Sequence, residues 1–252
     1  MLFENKVAVV TGAGSKKGIG QETARYLAEK GCKVVVADLN YEVAQEVAHS
    51  IADTGAETVA IKLDATDEAS VSDMFAKTVE RFGKIDILIN CVGVTEVVSI
   101  FDMTLAQWNR IISINQTSIF LCCKAVLPYM VKNNYGRIVN MSSVCAKQGD
   151  LPVFNLLHAH YSASKAAILG FSKSIAREVL TNGITVNCVC PGPVQTEMGG
   201  GKKMPQEKLD LLPMKRMGTT REIAAMNAFL ASDEAGYITG EDIDINGGMF
   251  MD

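Results

Sequence analysis

The chain has 252 residues, 48% apolar and 21% charged, with a formal net charge of −4; this is enough apolar material for one large α/β domain with a sizeable core. The slight acidity excludes the concentrated basic face that nucleic acid or an anionic membrane would need, and Lys16-Lys17 and Lys202-Lys203 are too short to supply one. No apolar run approaches the roughly 20 residues of a bilayer span, and no signal-like segment precedes the first strand-like run, so the expectation is a cytoplasmic protein with no membrane partner.

Strand-like and helix-like segments alternate along the whole chain. Val7 to Val10 is a continuous apolar run bounded by glycine, as in a strand buried on both faces. The pattern then predicts a helix from Gly20 to Lys30 stopping at Gly31, a strand from Lys33 to Asp38, and a helix from Tyr41 to Ala52. A strand from Thr58 to Asp64, a helix from Asp67 to Phe82 and a buried strand from Ile85 to Asn90 follow. Thr104 to Val131 is expected to form one long helix, bent near Pro128. Next come a strand from Gly136 to Ser143, a helix from Tyr161 to Leu180, and a strand from Ile184 to Cys190 stopped by Pro191-Gly192. A helix from Thr220 to Ala231 and a short strand from Asp242 to Asn246 complete the pattern. Repeated strand–helix units of this kind predict a single-domain, doubly wound Rossmann fold over residues 1–252, with a mostly parallel sheet of about seven strands and helices on both faces.

The seven cysteines are an odd number and sit in apolar stretches, which reads as buried, reduced thiols. Cys188 and Cys190 share a strand face but have no second ligand pair at metal-site spacing, so no metal is expected. The most loop-like stretch, Met198 to Pro213 with Gly199-Gly200-Gly201, reads either as solvated surface or as part of a mobile substrate loop spanning about residues 193–215.

The first strand runs into Thr11-Gly12-Ala13-Gly14-Ser15-Lys16-Lys17-Gly18-Ile19-Gly20 and then a helix. Glycines there permit positive φ and let backbone N–H groups approach a pyrophosphate, beside the favourable charge of a helix N-terminus. A glycine-rich turn alone is a weak signal, but the motif's context is present: a strand before, a helix after, and Asp38 at the end of the next strand. A carboxylate there accepts hydrogen bonds from an adenosine ribose 2′-hydroxyl and repels a 2′-phosphate, which favours NAD. Lys16 and Lys17 pull toward NADP if either pairs with such a phosphate; otherwise they are solvated loop charges.

With these residues in order, the sequence resembles the short-chain dehydrogenase/reductase family over essentially its whole length. Thr11-Gly12 with Gly18-Ile19-Gly20 is similar to the family's TGxxxGxG turn, with two extra residues. Asp64-Ala65 matches the position that contacts adenine. Asn90-Cys91-Val92-Gly93 resembles NNAG, and Asn115 falls where the family's helix asparagine lies. Val139-Asn140-Met141-Ser142-Ser143 looks like the strand that ends in the catalytic serine. Tyr161-Ser162-Ala163-Ser164-Lys165 fits YxxxK, and Pro191-Gly192-Pro193-Val194-Gln195-Thr196 fits PGxxxT. The resemblance implies cofactor contacts at Gly12, Ser15, Gly18, Ile19, Gly20, Asp38, Leu39, Asp64, Ala65, Asn90, Gly93, Tyr161, Lys165, Pro191, Gly192, Val194 and Thr196. It implies catalytic roles for Asn115, Ser143, Tyr161 and Lys165, and a homotetrameric or dimeric assembly. Ser143 is preferred to Ser142 because the family's catalytic serine is the last of this motif. Seventeen residues separate Ser143 from Tyr161, longer than the family's usual interval.

Tyr161 and Lys165 are i and i+4 and share a helix face. By spacing alone such a pair reads as ordinary helix surface; the surrounding motifs overturn that. A tyrosine ionises near pH ~10 in water, and a neighbouring ammonium is expected to lower this so that Tyr161 exchanges a proton with an alcohol or carbonyl. Ser143 would stabilise charge developing on the substrate oxygen. By resemblance, Lys165 also holds the nicotinamide ribose and Asn115 holds a water linking Lys165 to solvent. His158 and His160 are either loop histidines or substrate contacts, with no third ligand for a metal. Met198, Met204, Met214 and Met217 either line an adaptable apolar pocket or pack beneath the loop.

The reading that results is an NAD-dependent oxidoreductase acting on a secondary alcohol or ketone: a polyol or sugar alcohol, a cyclic or steroid-like alcohol, or a hydroxyacyl compound. The insert Leu151-Pro152-Val153-Phe154 with Leu156-Leu157 favours a partly apolar substrate, and Lys202-Lys203 an anionic group. The alternatives are an NADPH-dependent carbonyl reductase of the 3-oxoacyl type, which phosphate recognition by Lys16 or Lys17 would support, and a catalytically silent nucleotide-binding scaffold, against which the intact Ser143, Tyr161 and Lys165 argue.

Overall fold

A computed structural model describes residues 2–149, 157–199 and 204–251. The chain opens with β1 (Val7–Thr11), α1 (Ile19–Glu29), β2 (Lys33–Asp38), α2 (Tyr41–Ala52), β3 (Thr58–Lys62), α3 (Glu68–Phe82) and β4 (Ile87–Asn90). It continues with α4 (Leu105–Ile112), a π turn (Ser113–Thr117), α5 (Ser118–Asn133), β5 (Gly136–Met141), α6 (Cys145–Gln148) and α7 (Ala159–Glu178). Last come β6 (Ile184–Pro191), α8 (Gln206–Leu209), α9 (Thr220–Ala231) and β7 (Asp242–Ile245).

Local chemistry sets the ends of these elements. The Asp67 carboxylate accepts the N–H groups of Ala69 and Ser70 at the start of α3, and Gly83 closes that helix at φ 80°, where a side chain would be strained. Capping boxes start α4 (Thr104 with Gln107) and α9 (Thr219 with Glu222).

The seven strands pair in parallel in the order β3-β2-β1-β4-β5-β6-β7. β1, β4, β5 and β6 are buried along their whole length, which is why β1 and β4 read as mainly apolar runs, while β5 and β6 also bury Arg137, Asn140 and Asn187. One core unites the sheet with Met74 and Phe75 of α3, Val126 and Met130 of α5, and Ile168 and Ile175 of α7. The other packs Leu27 of α1, Val47 and Ile51 of α2 and Ile223 and Leu230 of α9 against the opposite face. The strand order turns at β1–β4, so the loops leaving those two strands diverge and open a crevice at their C-terminal ends.

The structure differs from the sequence reading in the long central helix. Leu105–Asn133 is helical over 29 residues and contains an 18-residue window with a mean hydropathy of 1.4, enough by length and composition to cross a bilayer. It is interrupted by the π turn, however, and Leu121, Cys122, Cys123, Val126 and Met130 are buried within the chain's own fold. The extra residue of a π turn is a common device at functional sites, and here it carries the fully buried Asn115. The one-turn helices α6 and α8 are too short to leave a periodic signal.

A row of buried polar side chains crosses the sheet near its C-terminal edge. Thr11, Asn90 and Asn140 are register partners on β1, β4 and β5. The Thr11 hydroxyl reaches Asn90 Oδ1 (3.4 Å), Asn90 Nδ2 donates to Asn140 Oδ1 (2.8 Å), and Asn140 Nδ2 donates to the Ser172 hydroxyl of α7 (2.8 Å). Replacing Asn140 by Ala leaves the Asn90 amide and the Ser172 hydroxyl buried without this partner. Urea unfolding should show a loss of about 1–3 kcal/mol; an unchanged midpoint and slope would show that the row carries no stability.

Candidate active site

The glycine-rich turn after β1 is set by close backbone contacts. Gly12 has φ +66°, and a Cβ there would lie 2.8 Å from the Cys91 carbonyl carbon. A Cβ on Gly20 would collide with the Gly12 carbonyl. A Cβ on Gly14 would come within 2.6 Å of Asp38 Cβ. That approach lets the Gly14 N–H donate to Asp38 Oδ2 (2.8 Å), while Asn40 N–H donates to Oδ1 (2.9 Å). Two backbone bonds thus aim the Asp38 carboxylate along the crevice. Gly18 caps α1 with no side chain to take its first-turn N–H groups, so this positive end is left available to an anion.

Around this turn, Asp64 Oδ1 accepts from the Thr66 hydroxyl (2.6 Å) and N–H (2.9 Å), and these bonds hold its carboxyl below its ordinary range. Ala65 is buried, whereas Leu39 is 62% exposed on the rim. Lys16 pairs with Glu46 of α2 (2.9 Å), with both side chains exposed. The two extra residues also bring the turn against the segment after β6: the Ser15 hydroxyl donates to Glu197 (2.9 Å) and Glu197 N–H to the Lys17 carbonyl (3.2 Å).

Beyond β4 the crevice deepens toward α7. Asn115 Oδ1 accepts the Val94 N–H (2.8 Å), and its Nδ2 donates to the Val94 carbonyl (2.9 Å) and the Ser164 hydroxyl (3.1 Å). One buried amide therefore ties the loop after β4 to the helix bearing Tyr161. Gly93 makes room for this arrangement: a Cβ there would lie 3.3 Å from Lys165 Nζ and 3.5 Å from Asn115 Oδ1. Lys165 is 4% exposed, and its Nζ donates to the Met141 carbonyl at the end of β5 (2.8 Å).

The two serines after β5 have different partners. Ser142 Oγ donates to the Lys165 carbonyl (2.8 Å), stitching β5 to α7. The Ser143 oxygen accepts the Cys145 N–H (3.2 Å), and its hydroxyl is the polar neighbour that draws the Tyr161 pKa down. On the opposite rim, Pro191 ends β6, a Cβ on Gly192 would strike the Asn246 backbone, and Val194 forms a parallel bridge with Gly218. Thr196 is half-buried beside them. The structure thus brings Asn115, Ser143, Tyr161 and Lys165 together at the centre, with the glycine turn and Asp38 on one side and Pro191 to Thr196 on the other.

The electrostatics differ from the sequence expectation. Burial pushes the Tyr161 phenol up to about 12, the Ser143 hydroxyl pulls it down, and Cys145 adds a smaller push upward. Lys165 does not hold the phenol down: its Nζ lies 5.9 Å from the ring centre, and with its own pKa near 8 it is neutral before the phenol ionises. Burial in turn pushes Lys165 down to about 8, against the opposing influence of Cys91, Cys188 and Cys190.

Both histidines are buried at the start of α7, His158 at its N-cap and His160 within the helix, whereas the first of the sequence alternatives placed them in a loop. The His158 ring lies 5.0 Å from the Tyr161 ring, and His160 Nδ1 accepts the Tyr161 N–H (3.0 Å). Met214 lines a cavity of about 260 Å³ with Leu212, Pro213 and Met249, while Met198 is 53% exposed. Among the described residues no cluster of three or more His, Cys, Asp or Glu could hold a metal. Leu151 to Leu156, Gly200-Gly201 and Lys202-Lys203 lie outside the described residues.

The chain is similar to known proteins over its full length. A family model described as enoyl-(acyl carrier protein) reductase matches residues 12–250. The chain is 42% identical over its full length to the 3-oxoacyl-(acyl-carrier-protein) reductase of Escherichia coli, and 41% to that of Vibrio cholerae, covering 100% of each. It is 38% identical, again covering 100% of both chains, to an uncharacterized short-chain type dehydrogenase/reductase of Sinorhizobium fredii.

The buried ammonium makes a pH-dependent prediction. With its folded pKa near 8 and its unfolded value near ~10.4, Lys165 binds fewer protons in the folded than in the unfolded chain between these limits. Its contribution to stability therefore rises with pH across that window. The stability difference between wild type and Lys165→Met, followed by urea unfolding from roughly pH 7 to 10, should move in the wild type's favour. A flat difference would mean that Lys165 is not desolvated.

Proposed function

The chain belongs to the short-chain dehydrogenase/reductase family, and from that premise we propose that it is an NAD(H)-dependent oxidoreductase interconverting a secondary alcohol and a ketone. The observation that carries this is the gathering of Ser143 and Tyr161 beside the buried Lys165. The glycine turn, with its close backbone contacts and uncapped helix end, fits a dinucleotide pyrophosphate. When bound, the nicotinamide supplies or accepts the hydride.

The chain's own residues handle the proton and the substrate oxygen. The Tyr161 phenol, protonated over a wide pH range, gives its proton to the forming alkoxide in reduction, and its phenolate takes the hydroxyl proton in oxidation. The Ser143 hydroxyl, oriented by the Cys145 N–H, hydrogen-bonds the substrate oxygen and stabilises charge that develops there. Lys165 would hold the nicotinamide ribose of a bound cofactor, and in its ammonium form it would favour the phenolate. Asn115 keeps the loop after β4 in register with α7, and Asn90 and Gly93 shape the floor beneath.

Two observations support NAD over NADP. The Asp38 carboxylate is fixed by two backbone donors and retains lone pairs for ribose hydroxyls, while presenting negative charge to any phosphate. Lys16, the rival candidate for that phosphate, is held by Glu46. The named relatives favour the alternative substrate reading, so a 3-oxoacyl thioester is the second reading for the ketone, with the corresponding hydroxyacyl compound as product. Seven free thiols support a cytoplasmic location, and the family resemblance supports a homotetramer.

Turnover of acetoacetyl-CoA, and of a panel of secondary alcohols, should be measured with both cofactors by nicotinamide absorbance. Preference for NAD(H) is expected; a strong preference for NADPH overturns the cofactor assignment. Reduction of the thioester would establish the 3-oxoacyl reading, and oxidation of alcohols alone would remove it. Tyr161→Phe should lower turnover by about 100-fold to 10,000-fold; unchanged turnover would sink the mechanism. Because the phenol ionises near 12, reduction should lose nothing to Tyr161 deprotonation between roughly pH 6 and 9, while oxidation should climb with pH.

A further inference from the structure

At the far edge of the sheet, β7 carries two acids that the sequence pattern did not single out. Asp244 Oδ2 lies 2.7 Å from Lys147 Nζ, which also reaches the Asp242 carbonyl (3.4 Å). Asp242 Oδ2 lies 2.5 Å from Lys173 Nζ. The Lys147 side chain is 9% exposed, and those of Asp242 and Asp244 are 10% and 19% exposed. The second oxygen of each carboxylate is buried with no hydrogen-bond partner among the described residues. Each acid therefore depends on its lysine for compensation, the situation in which removing one member of a pair is most disruptive.

The two lysines stand on the two elements that meet at the catalytic centre. Lys147 is on α6, four residues beyond Ser143, and Lys173 is on α7, eight residues beyond Lys165. The Ser143 turn is bonded to β6 on its near side, by Ser142 N–H to Val189 and Val144 N–H to Pro191. On its far side α6 is a single turn, with too few hydrogen bonds of its own to persist alone. There the Lys147 side chain crosses to β7. Phe250 lies 5.5 Å from Lys147 Nζ, and with Met249 it packs around Val144, Cys145 and Tyr161.

We propose that Asp244 and Asp242 are positioning residues: through Lys147 and Lys173 they pin the Ser143 turn and the Tyr161 helix to one strand, and so hold Ser143 beside the Tyr161 phenol. The consequence for catalysis rests on the function proposed above; the anchor itself does not. The groups facing the Tyr161 phenol are Ser143 and Cys145 from the turn, and His158 and Lys165 from α7. Of these, Ser143 is the one that pulls the phenol down. Releasing the anchor therefore raises the pH at which Tyr161 serves as a base, which a loss of stability alone would not do.

The test is Lys147→Met, with Lys147→Arg as the conservative rescue and Asp244→Asn as a milder lesion that keeps the side chain's shape. Amide exchange over residues 143–149 reads the anchor without any substrate. It should accelerate about tenfold or more in Lys147→Met while β1 stays protected. In alcohol oxidation, kcat should fall about tenfold with KM nearly constant, and its pH profile should move about 0.5 to 1 unit alkaline, the worth of one hydrogen bond. Lys147→Arg should restore most of each effect. Unchanged exchange removes the anchor; faster exchange with a superimposable pH profile removes its role in positioning Ser143. If Lys147→Met does not fold, Asp244→Asn decides by the same two readouts. If the wild type turns over no alcohol or ketone, the function proposed above fails and the exchange result alone decides the anchor.

Discussion

The structure depends on a constraint at the C-terminal edge of its sheet: polar groups must be buried there, and each must find a partner. Thr11, Asn90, Asn140 and Ser172 meet this by forming a chain from β1 through β4 and β5 into α7. The three strand members lie at or next to the ends of their strands, and each strand leads into part of the site. Thr11 precedes the glycine turn, Asn90 the loop with Gly93, Asn140 the two serines, and Ser172 lies two turns beyond Ser164 on the helix with Tyr161 and Lys165. A slip of one residue in any of these strands would turn its amide to the other face and break the chain. The same row that satisfies the interior thus holds the crevice in register.

The site itself is built from charges and dipoles placed where water is scarce. Lys165 is buried with one carbonyl for company, and Tyr161 is kept protonated by its surroundings. Both are poised, because burial moves each pKa toward its neutral form and a small change in neighbours has a large effect. Asp38 and Asp64 are handled differently: each carboxylate is steadied by donors from its own or a neighbouring turn. The difference between the two pairs follows from environment more than from residue type.

Much of the fold was legible because its signals are local. Unbroken apolar runs identify doubly buried strands, and the alternation with amphipathic helices implies a parallel, doubly wound sheet. The glycine spacing, Asp38 at the end of β2 and the i, i+4 pair of Tyr161 and Lys165 were visible as patterns. Less legible were features that arise from contacts between distant segments. The π turn at Asn115 leaves an ordinary helical pattern in the sequence. The Lys147–Asp244 pair joins residues 97 positions apart, and neither belongs to a motif. The Lys16–Glu46 pair depends on how a lengthened turn lies over α2.

By itself, the sequence determined the order of elements, the glycine turn with its acid, and the residues able to move a proton, since these follow from periodicity, backbone freedom and side-chain chemistry within short windows. Only the tertiary structure decided which serine meets the tyrosine. Ser142 and Ser143 are neighbours of identical chemistry, but successive residues leaving a strand point in different directions, so one bonds the Lys165 carbonyl and the other lies beside the phenol. The tertiary structure also removed the expected effect of Lys165 on Tyr161. Spacing placed the ammonium near the phenol, whereas burial and the Met141 carbonyl, both products of packing, set what each group feels.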